Sequence, residues 1–181
     1  MTGRPDDVGV LLAQAVRLRE AGRPEEARAR LLELRDRFPD DAQVAYQTAW
    51  VHDTLGLEAQ AVPHYVDALA LPGPGPGPGH GPGLDADDRK GAMLGLGSTY
   101  RTLGRYAEAV ATLSEATAAF PADNALKTFL AMALYNAGHA HDAMRVLLTV
   151  LAATSADPDI AGYRRAIEHY AQDLDAVEGA T

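Results

Sequence analysis

Four glycines set a fixed period along the 181-residue chain. Gly22 and Gly56 are 34 residues apart, and so are Gly104 and Gly138. The gap between Gly56 and Gly104 is 48 residues, one period plus 14, and the surplus coincides with the Pro-Gly tract from Leu71 to Leu84. A period of this length is typical of a supersecondary unit that buries its apolar surface only by stacking on its neighbours. The chain is therefore predicted to fold as a row of similar units, each with a glycine turn.

The composition favours helices over sheets. The hydrophobic content of 47% and the charged content of 23% are ordinary for a soluble globular protein, so one folded domain over residues 1–181 is expected. Aromatic residues make up only 6% of the chain, while alanine, the best helix former, is abundant in stretches such as AEAVATLSEATAAF. The predicted fold class is all-α.

The third unit carries the clearest motif. Its small residues let two helices approach closely, its larger side chains fill the space beside them, and a proline ends the second helix. In chain order the motif consists of Leu96, Gly97, Tyr100, Gly104, Tyr106, Ala109, Leu113, Ala116 and Pro121. At a 34-residue period this motif resembles the tetratricopeptide repeat family. The resemblance implies an α-solenoid of four helix-turn-helix repeats, at about residues 8–39, 42–71, 86–121 and 123–154.

The helices of these repeats can be placed from the same register. Four segments, AWVHDTLG, AVPHYVDALAL, GLGSTYRTLGRYAEAV and FLAMALYNAG, further resemble the bacterial subgroup called tetratricopeptide repeat group 5. The resemblance extends to Pro63, which lies inside the second helix of repeat two and is expected to weaken or kink it. Helices are expected near residues 6–21, 24–37, 41–55, 58–70, 86–103, 106–119, 123–137 and 140–153.

The tract LPGPGPGPGHGPGL is predicted as an insertion loop over residues 72–84. Glycine at every second residue excludes a collagen helix, which needs glycine at every third. The prolines are separated only by even numbers, so no PxxP ligand motif is present. Because the register resumes with Asp85 in position to cap the next helix, the repeats are expected to stack across the loop.

The C-terminal segment is predicted as a capping helix over residues 157–177, helical from 158. A stack of repeats needs a terminal element that is apolar inside and polar outside. Asp157 and Pro158 suit the N-cap and the first helical position. The apolar stripe expected on this helix consists of Ile160, Tyr163, Ile167, Tyr170, Leu174 and Val177.

Charge and composition exclude several classes of partner. The net charge of -9 repels nucleic acid and anionic membranes, and the arginines between Arg28 and Arg37 alternate with acids, which predicts a salt-bridged helix face. The chain has no cysteine, and no apolar run approaches the ~18 residues of a membrane span. Without a signal pattern at the N-terminus, a cytoplasmic protein with neither nucleic acid nor membrane as partner is expected.

Six histidines raise the question of an enzyme or a metal site. His52 precedes Asp53, but further ligands at metal-binding spacing are lacking, so His52 is predicted as a hydrogen-bonded core side chain. His139 and His141 cannot share one helical face and are predicted on the surface. With no nucleophile elbow, phosphate loop or paired acids in the sequence, we expect no enzyme activity, metal or cofactor.

The family resemblance implies a concave groove lined by the first helix of each repeat. Aromatic and Met side chains beside polar ones are the composition of a binding surface; the alternative is that Trp50, Phe129 and Met132 pack against neighbouring helices. A chaperone-type carboxylate clamp is missing, because Leu12, Val16, Gln47, Gly91 and Gly95 stand at its positions. The predicted groove residues are Tyr46, Gln47, Trp50, Asp53, Ser98, Arg101, Phe129, Met132, Tyr135 and Asn136.

These observations predict a non-enzymatic adaptor that binds a peptide or a partner helix in the groove. Two alternatives stay open. One is a homo-oligomeric scaffold that associates through the terminal helix or the outer helices. The other is a small-molecule or metal-binding regulatory protein.

Overall fold

The computed structural model describes residues 5–71 and 83–176. Within these ranges the chain forms ten helices and no strand. The predicted all-α fold class is thereby confirmed. The helices are α1 Pro5–Glu20, α2 Pro24–Arg37, α3 Ala42–Thr54, α4 Glu58–Ala70, α5 Ala86–Thr102, α6 Tyr106–Ala119, α7 Asn124–Asn136, α8 Ala140–Thr154, α9 Pro158–Gly162 and α10 Arg164–Tyr170.

The first eight helices begin and end within one residue of the predicted positions. Each pair is joined by a glycine with positive φ: 73° at Gly22, 69° at Gly56, 74° at Gly104 and 87° at Gly138. This left-handed conformation costs glycine nothing because it has no Cβ. The 34-residue glycine spacing is therefore the spacing of the helix-ending turns.

Aspartates begin the first helix of repeats two, three and four. The side chains of Asp41, Asp85 and Asp123 accept hydrogen bonds from the backbone N–H three residues on, at 3.0, 2.8 and 2.9 Å. Each satisfies one of the N–H groups that a helix start leaves without a partner. The cap predicted at Asp85 is confirmed. The loop predicted over 72–84 lies outside the described residues, apart from Gly83 and Leu84.

The helices divide into two compact units after Leu103, and each unit is described by itself. A single domain over residues 1–181 stays a prediction. In the first unit α3 is the central helix, packed against α2 and α4, with smaller contacts to α1 and α5. Nine of its 13 residues are buried, so its few exposed positions are conspicuous.

The second unit contains α6 to α10. Helix α7 packs against α6 and α8, and α10 packs against α8. Small and aliphatic residues fill this core, because alanine permits close helix approach while leucine fills the remaining space. Its fully buried members are Ala109, Leu113, Ala116, Leu126, Ala131 and Ala133.

The single C-terminal helix predicted over 158–177 is wrong. Asp157 and Pro158 do begin a helix, as expected, but α9 ends at Gly162, and Tyr163 (φ −100°, ψ 7°) separates it from α10. Glycine is a poor helix former and supplies no side chain to pack, which explains the interruption. Tyr163 and Tyr170 are 70% and 62% exposed, so the predicted stripe does not form one buried face. Val177 lies outside the described residues.

Helix α4 continues through Pro63. The proline lacks the N–H that would bond to the carbonyl of Ala59, one turn earlier. Both residues are exposed, so water can satisfy that carbonyl. The helix therefore tolerates Pro63 at a cost in stability.

Candidate interaction surface

Trp50 is the large apolar residue that the mostly buried helix α3 exposes. Its side chain is 42% exposed, whereas Tyr46 and Gln47, one turn earlier, are only 6% and 8% exposed. Tyr46 and Trp50 are four residues apart and share a helix face, with ring centroids 5.7 Å apart. Tyr46 and Gln47, both predicted groove residues, are therefore buried beside Trp50 and are not exposed with it.

Arg19 of α1 lies over the ring of Trp50. Its Cζ is 3.6 Å from the ring centroid, a cation–π contact, and its Nη1 donates to Oε1 of Gln47 at 2.5 Å. Burial is the main influence on the pKa of Arg19 and lowers it. A guanidinium nevertheless stays protonated at neutral pH, so the site holds a fixed, half-buried positive charge.

Asp53, one turn beyond Trp50, is fixed by two hydroxyl groups. Its Oδ2 accepts from Tyr65 Oη at 2.7 Å, and both its oxygens lie within reach of Thr99 Oγ1, at 2.9 and 3.0 Å. Burial raises the pKa of Asp53, and the two hydrogen bonds oppose that rise. Burial and the Asp53 carboxylate both raise the pKa of Tyr65, which keeps its proton for this bond. The cluster joins α3, α4 and α5.

Two glycines of α5 make room for the tyrosines of this network. A Cβ on Gly91 would collide with the hydroxyl of Tyr46. One on Gly95 would collide with the hydroxyl of Tyr65 and come within 2.5 Å of its Cζ. Real Cβ atoms do not approach other atoms this closely, so both positions need glycine. The same two glycines were noted in the sequence only as missing clamp residues.

The remaining predicted residues of the first unit lie on α5. Ser98 and Arg101 are both half-buried there. In the second unit, α7 carries Phe129 and Met132, which are half-buried, and Tyr135 and Asn136, which are exposed; Tyr135 is 68% exposed. Spacings of three, three and one place these four on one side of α7.

A family model described as "Tetratrico peptide repeat" matches residues 42–174. The chain belongs to the tetratricopeptide repeat family, group 5.

Solved structures agree with this tetratricopeptide repeat fold. One is a MamA fragment, residue 41 to its end, from Desulfovibrio magneticus RS-1, at 19% identity and a TM-score of 0.63. Another is the MamA RS-1 ArsTM double mutant, at 18% identity and 0.65. Each alignment covers 97% of this chain and 100% of the other. At this identity the likeness shows the fold alone. No curated protein matches the chain significantly.

The repeat register also explains which site residue the sequence reasoning missed. Asp53 and Arg101 each lie three residues before a turn glycine, and the same position in repeat one is Arg19. Carrying the register back by one repeat would have indicated Arg19. The contact of Tyr65 with Asp53 joins the two helices of repeat two, and that of Thr99 with Asp53 joins repeats two and three. No spacing in the sequence predicts either contact.

His52 is a core residue of repeat two, as predicted. It is 1% exposed; its Nδ1 lies 2.7 Å from the carbonyl of Thr48, and its Nε2 accepts from Arg28 Nε at 3.0 Å. These contacts require the neutral ring with a proton on Nδ1. Burial lowers the pKa of His52, and that of neighbouring His64 to about 4. The predicted surface positions of His139 and His141 are also confirmed.

The described residues contain neither a metal-binding cluster nor a membrane-spanning helix. No three His, Asp or Glu side chains there are grouped in a way that would hold a metal ion. Nor is any described helix both long and apolar enough to cross a membrane.

The arginine-rich helix α2 makes contacts within the protein. Arg28 bonds to His52 and Gln60, and Arg30 pairs with Glu33. Arg35 pairs with Asp67 of α4 at 2.8 Å. The exposed pair of Arg30 and Glu33 is of the kind that the charge pattern predicts, whereas Arg28 and Arg35 connect α2 to α3 and α4.

Proposed function

We propose that this tetratricopeptide repeat protein is a non-enzymatic adaptor whose first unit binds a peptide or helix of a partner protein around Trp50. The observation that carries the proposal is the exposed Trp50 with Arg19 fixed on its ring. Tryptophan and arginine are the residues most often found to dominate the binding energy of protein interfaces. An exposed tryptophan on the mostly buried helix α3, with half-buried Arg19 of α1 over its ring, is best accounted for by a partner.

The rigidity of the support favours the same proposal. Tyr46 and Gln47 are buried beneath Trp50 and Arg19, and Asp53 is held by two hydroxyl groups. Side chains that are already fixed lose little conformational entropy on binding, which improves affinity. The polar groups of the cluster are engaged in supporting the surface, which suits binding better than catalysis.

Ser98 and Arg101 extend the proposed surface along α5. Phe129, Met132, Tyr135 and Asn136 form the corresponding surface of α7 in the second unit. We propose a binding role for them because of their positions in the repeat register. In order, these four residues align with Gln47, Trp50, Asp53 and Thr54 of the first unit.

The test is a selection of peptides from a random display library on the wild-type protein, with affinities of the selected peptides measured by calorimetry. Trp50→Ala should weaken these peptides by about tenfold or more, the loss typical of an interface hot spot. Val66→Ala is the matched control, because Val66 is also 42% exposed but lies on α4. Peptides that bind both variants equally would contradict the proposal.

A second candidate function is self-association through α8. Met144, Leu147 and Leu151 of this helix are 46%, 38% and 40% exposed and recur at helical spacing. Light scattering at two protein concentrations checks this candidate. A mass that rises with concentration in the wild type, but not in Leu147→Glu, would support it, and a constant monomer mass would exclude it.

A further inference from the structure

Among the residues that the structure describes, Arg19 forms no ion pair with a carboxylate, and the one acid whose charge acts on its pKa is its chain neighbour Glu20. Its contacts are the amide oxygen of Gln47 and the ring of Trp50, both uncharged. Other arginines of the chain are paired with carboxylates, for example Arg23 with Glu26 and Arg35 with Asp67. The guanidinium over Trp50 therefore has no carboxylate hydrogen-bonded to it.

The setting makes a carboxylate a favourable ligand for Arg19. Half-burial removes part of the water around the guanidinium, and this loss is what lowers the pKa of Arg19. A partly desolvated charge gains more from an opposite charge than an exposed one does. The guanidinium carries five N–H donors, and the contact with Gln47 uses one of them. Its planar fork fits both oxygens of one carboxylate.

The surroundings of Arg19 favour a ligand with one acidic group over one with several. The clamp positions Leu12 and Val16 on α1, and Gly91 and Gly95 on α5, carry no cation or side-chain donor, and Arg101 stands at the Arg19 register position two repeats further on. The acids at the start of α5 repel a further negative charge: burial and then the charge of Asp88 raise the pKa of Tyr46 to about 12. A single acidic side chain fits this pattern, whereas a run of acids or a clamp around a C-terminal carboxylate does not.

On this basis, and resting on the proposed function, we infer that Arg19 determines specificity by binding one Asp or Glu side chain of the partner segment. The neighbouring partner residue then packs against the exposed part of Trp50. Gln47 keeps Arg19 in place.

The experiment uses peptides selected by the wild-type protein and synthesised with amidated C-termini. Each acidic peptide is paired with an amide peptide, in which the Asp or Glu is replaced by Asn or Gln. Arg19→Gln should weaken the acidic peptide by about tenfold or more, because hydrogen bonds between charged groups are markedly stronger than those between neutral ones. It should weaken the amide peptide clearly less, since only the contact with the carboxylate is specific to the acidic form. Arg19→Lys should retain a preference for the acid, and Arg19→Glu should select peptides with Lys or Arg instead.

Arg17→Gln is the matched control. It removes the same charge from the same helix, but Arg17 is exposed and contacts only the carbonyl of Ala13. Its affinity for the acidic peptide should stay within about twofold of the wild type, since exposed charges contribute little. Urea denaturation of each variant checks that it remains folded.

The outcomes separate this inference from the proposed function. Peptides that depend on Trp50 but carry no acid, or whose acid and amide forms respond alike to Arg19→Gln, would overturn the inference alone. Selected peptides that no longer bind once their C-termini are amidated would also overturn it, because Arg19 would then recognise a C-terminal carboxylate. If no selected peptide depends on Trp50, the proposed function itself fails.

Discussion

Replacing Gly95 with alanine tests whether the tyrosine network supports the structure of the first unit. The new Cβ would come within 2.5 Å of Tyr65 Cζ and 2.8 Å of its Cε1. Tyr65 is 2% exposed, so its ring cannot swing into solvent, and it must shift within a packed core. Any shift also strains the 2.7 Å hydrogen bond from its hydroxyl to Asp53.

The size of the effect follows from three contributions. Overpacking costs about 1–3 kcal/mol, and loss of a hydrogen bond to a charged group costs about 1.5–3 kcal/mol. The better helix propensity of alanine returns about 1 kcal/mol. The net loss in the free energy of unfolding should be about 1.5–5 kcal/mol, measured by urea denaturation.

Gly9→Ala is the matched control, because Gly9 lies inside α1 with nothing within 4 Å of the added Cβ. It should stabilise the protein by up to about 1 kcal/mol. In a Tyr65→Phe background Gly95→Ala should cost less, because the hydroxyl and its hydrogen bond are already gone. A Gly95→Ala protein as stable as Gly9→Ala would refute the reasoning.

Three further predictions concern the stability of the first unit. Lowering the pH from 6.5 to 4 should reduce the free energy of unfolding by on the order of 2 kcal/mol, because burial lowers the pKa of His64 to about 4 and the unfolded chain binds the proton first. His64→Gln should lose most of this pH dependence in urea titrations, and an unchanged pH dependence would exclude His64 as its source. Pro63→Ala should raise the free energy of unfolding by about 1–3 kcal/mol by restoring a helix hydrogen bond, and a drop in the urea midpoint would contradict that assignment. Deleting residues 73–80 should leave the melting temperature within a few degrees of the wild type, since α4 and α5 pack directly on each other and loop length contributes little; a collapse of that temperature would show that the tract has a structural role.

The repeat fold could be predicted because its signals are local and recur. Turn glycines such as Gly22 and N-cap residues such as Asp85 act through their own backbone neighbourhood, so their spacing alone places the helices. The C-terminal helix has no second copy to compare with. There the apolar stripe predicts one continuous helix, but Gly162, which has a low helix propensity, ends α9.

The candidate site was predicted only in part, because its construction depends on contacts between repeats. Trp50 stands out in the sequence as the only tryptophan, and its exposure agrees with the expectation of a surface position. That Arg19 covers its ring, and that Tyr65 holds Asp53, follows from how α1, α3 and α4 pack. Contacts between side chains of different helices have no fixed spacing in the sequence, so the sequence alone does not predict them.

The central claim is that partners bind over Trp50, and the single tryptophan of the chain reports on this directly. Acrylamide quenching of its fluorescence should be measured on the free protein and on the protein saturated with a tryptophan-free peptide from the selection. Quenching should fall clearly in the complex, because the 42% of Trp50 that is exposed in the free protein becomes covered. A peptide that binds by calorimetry yet leaves the quenching of Trp50 unchanged would contradict the claim.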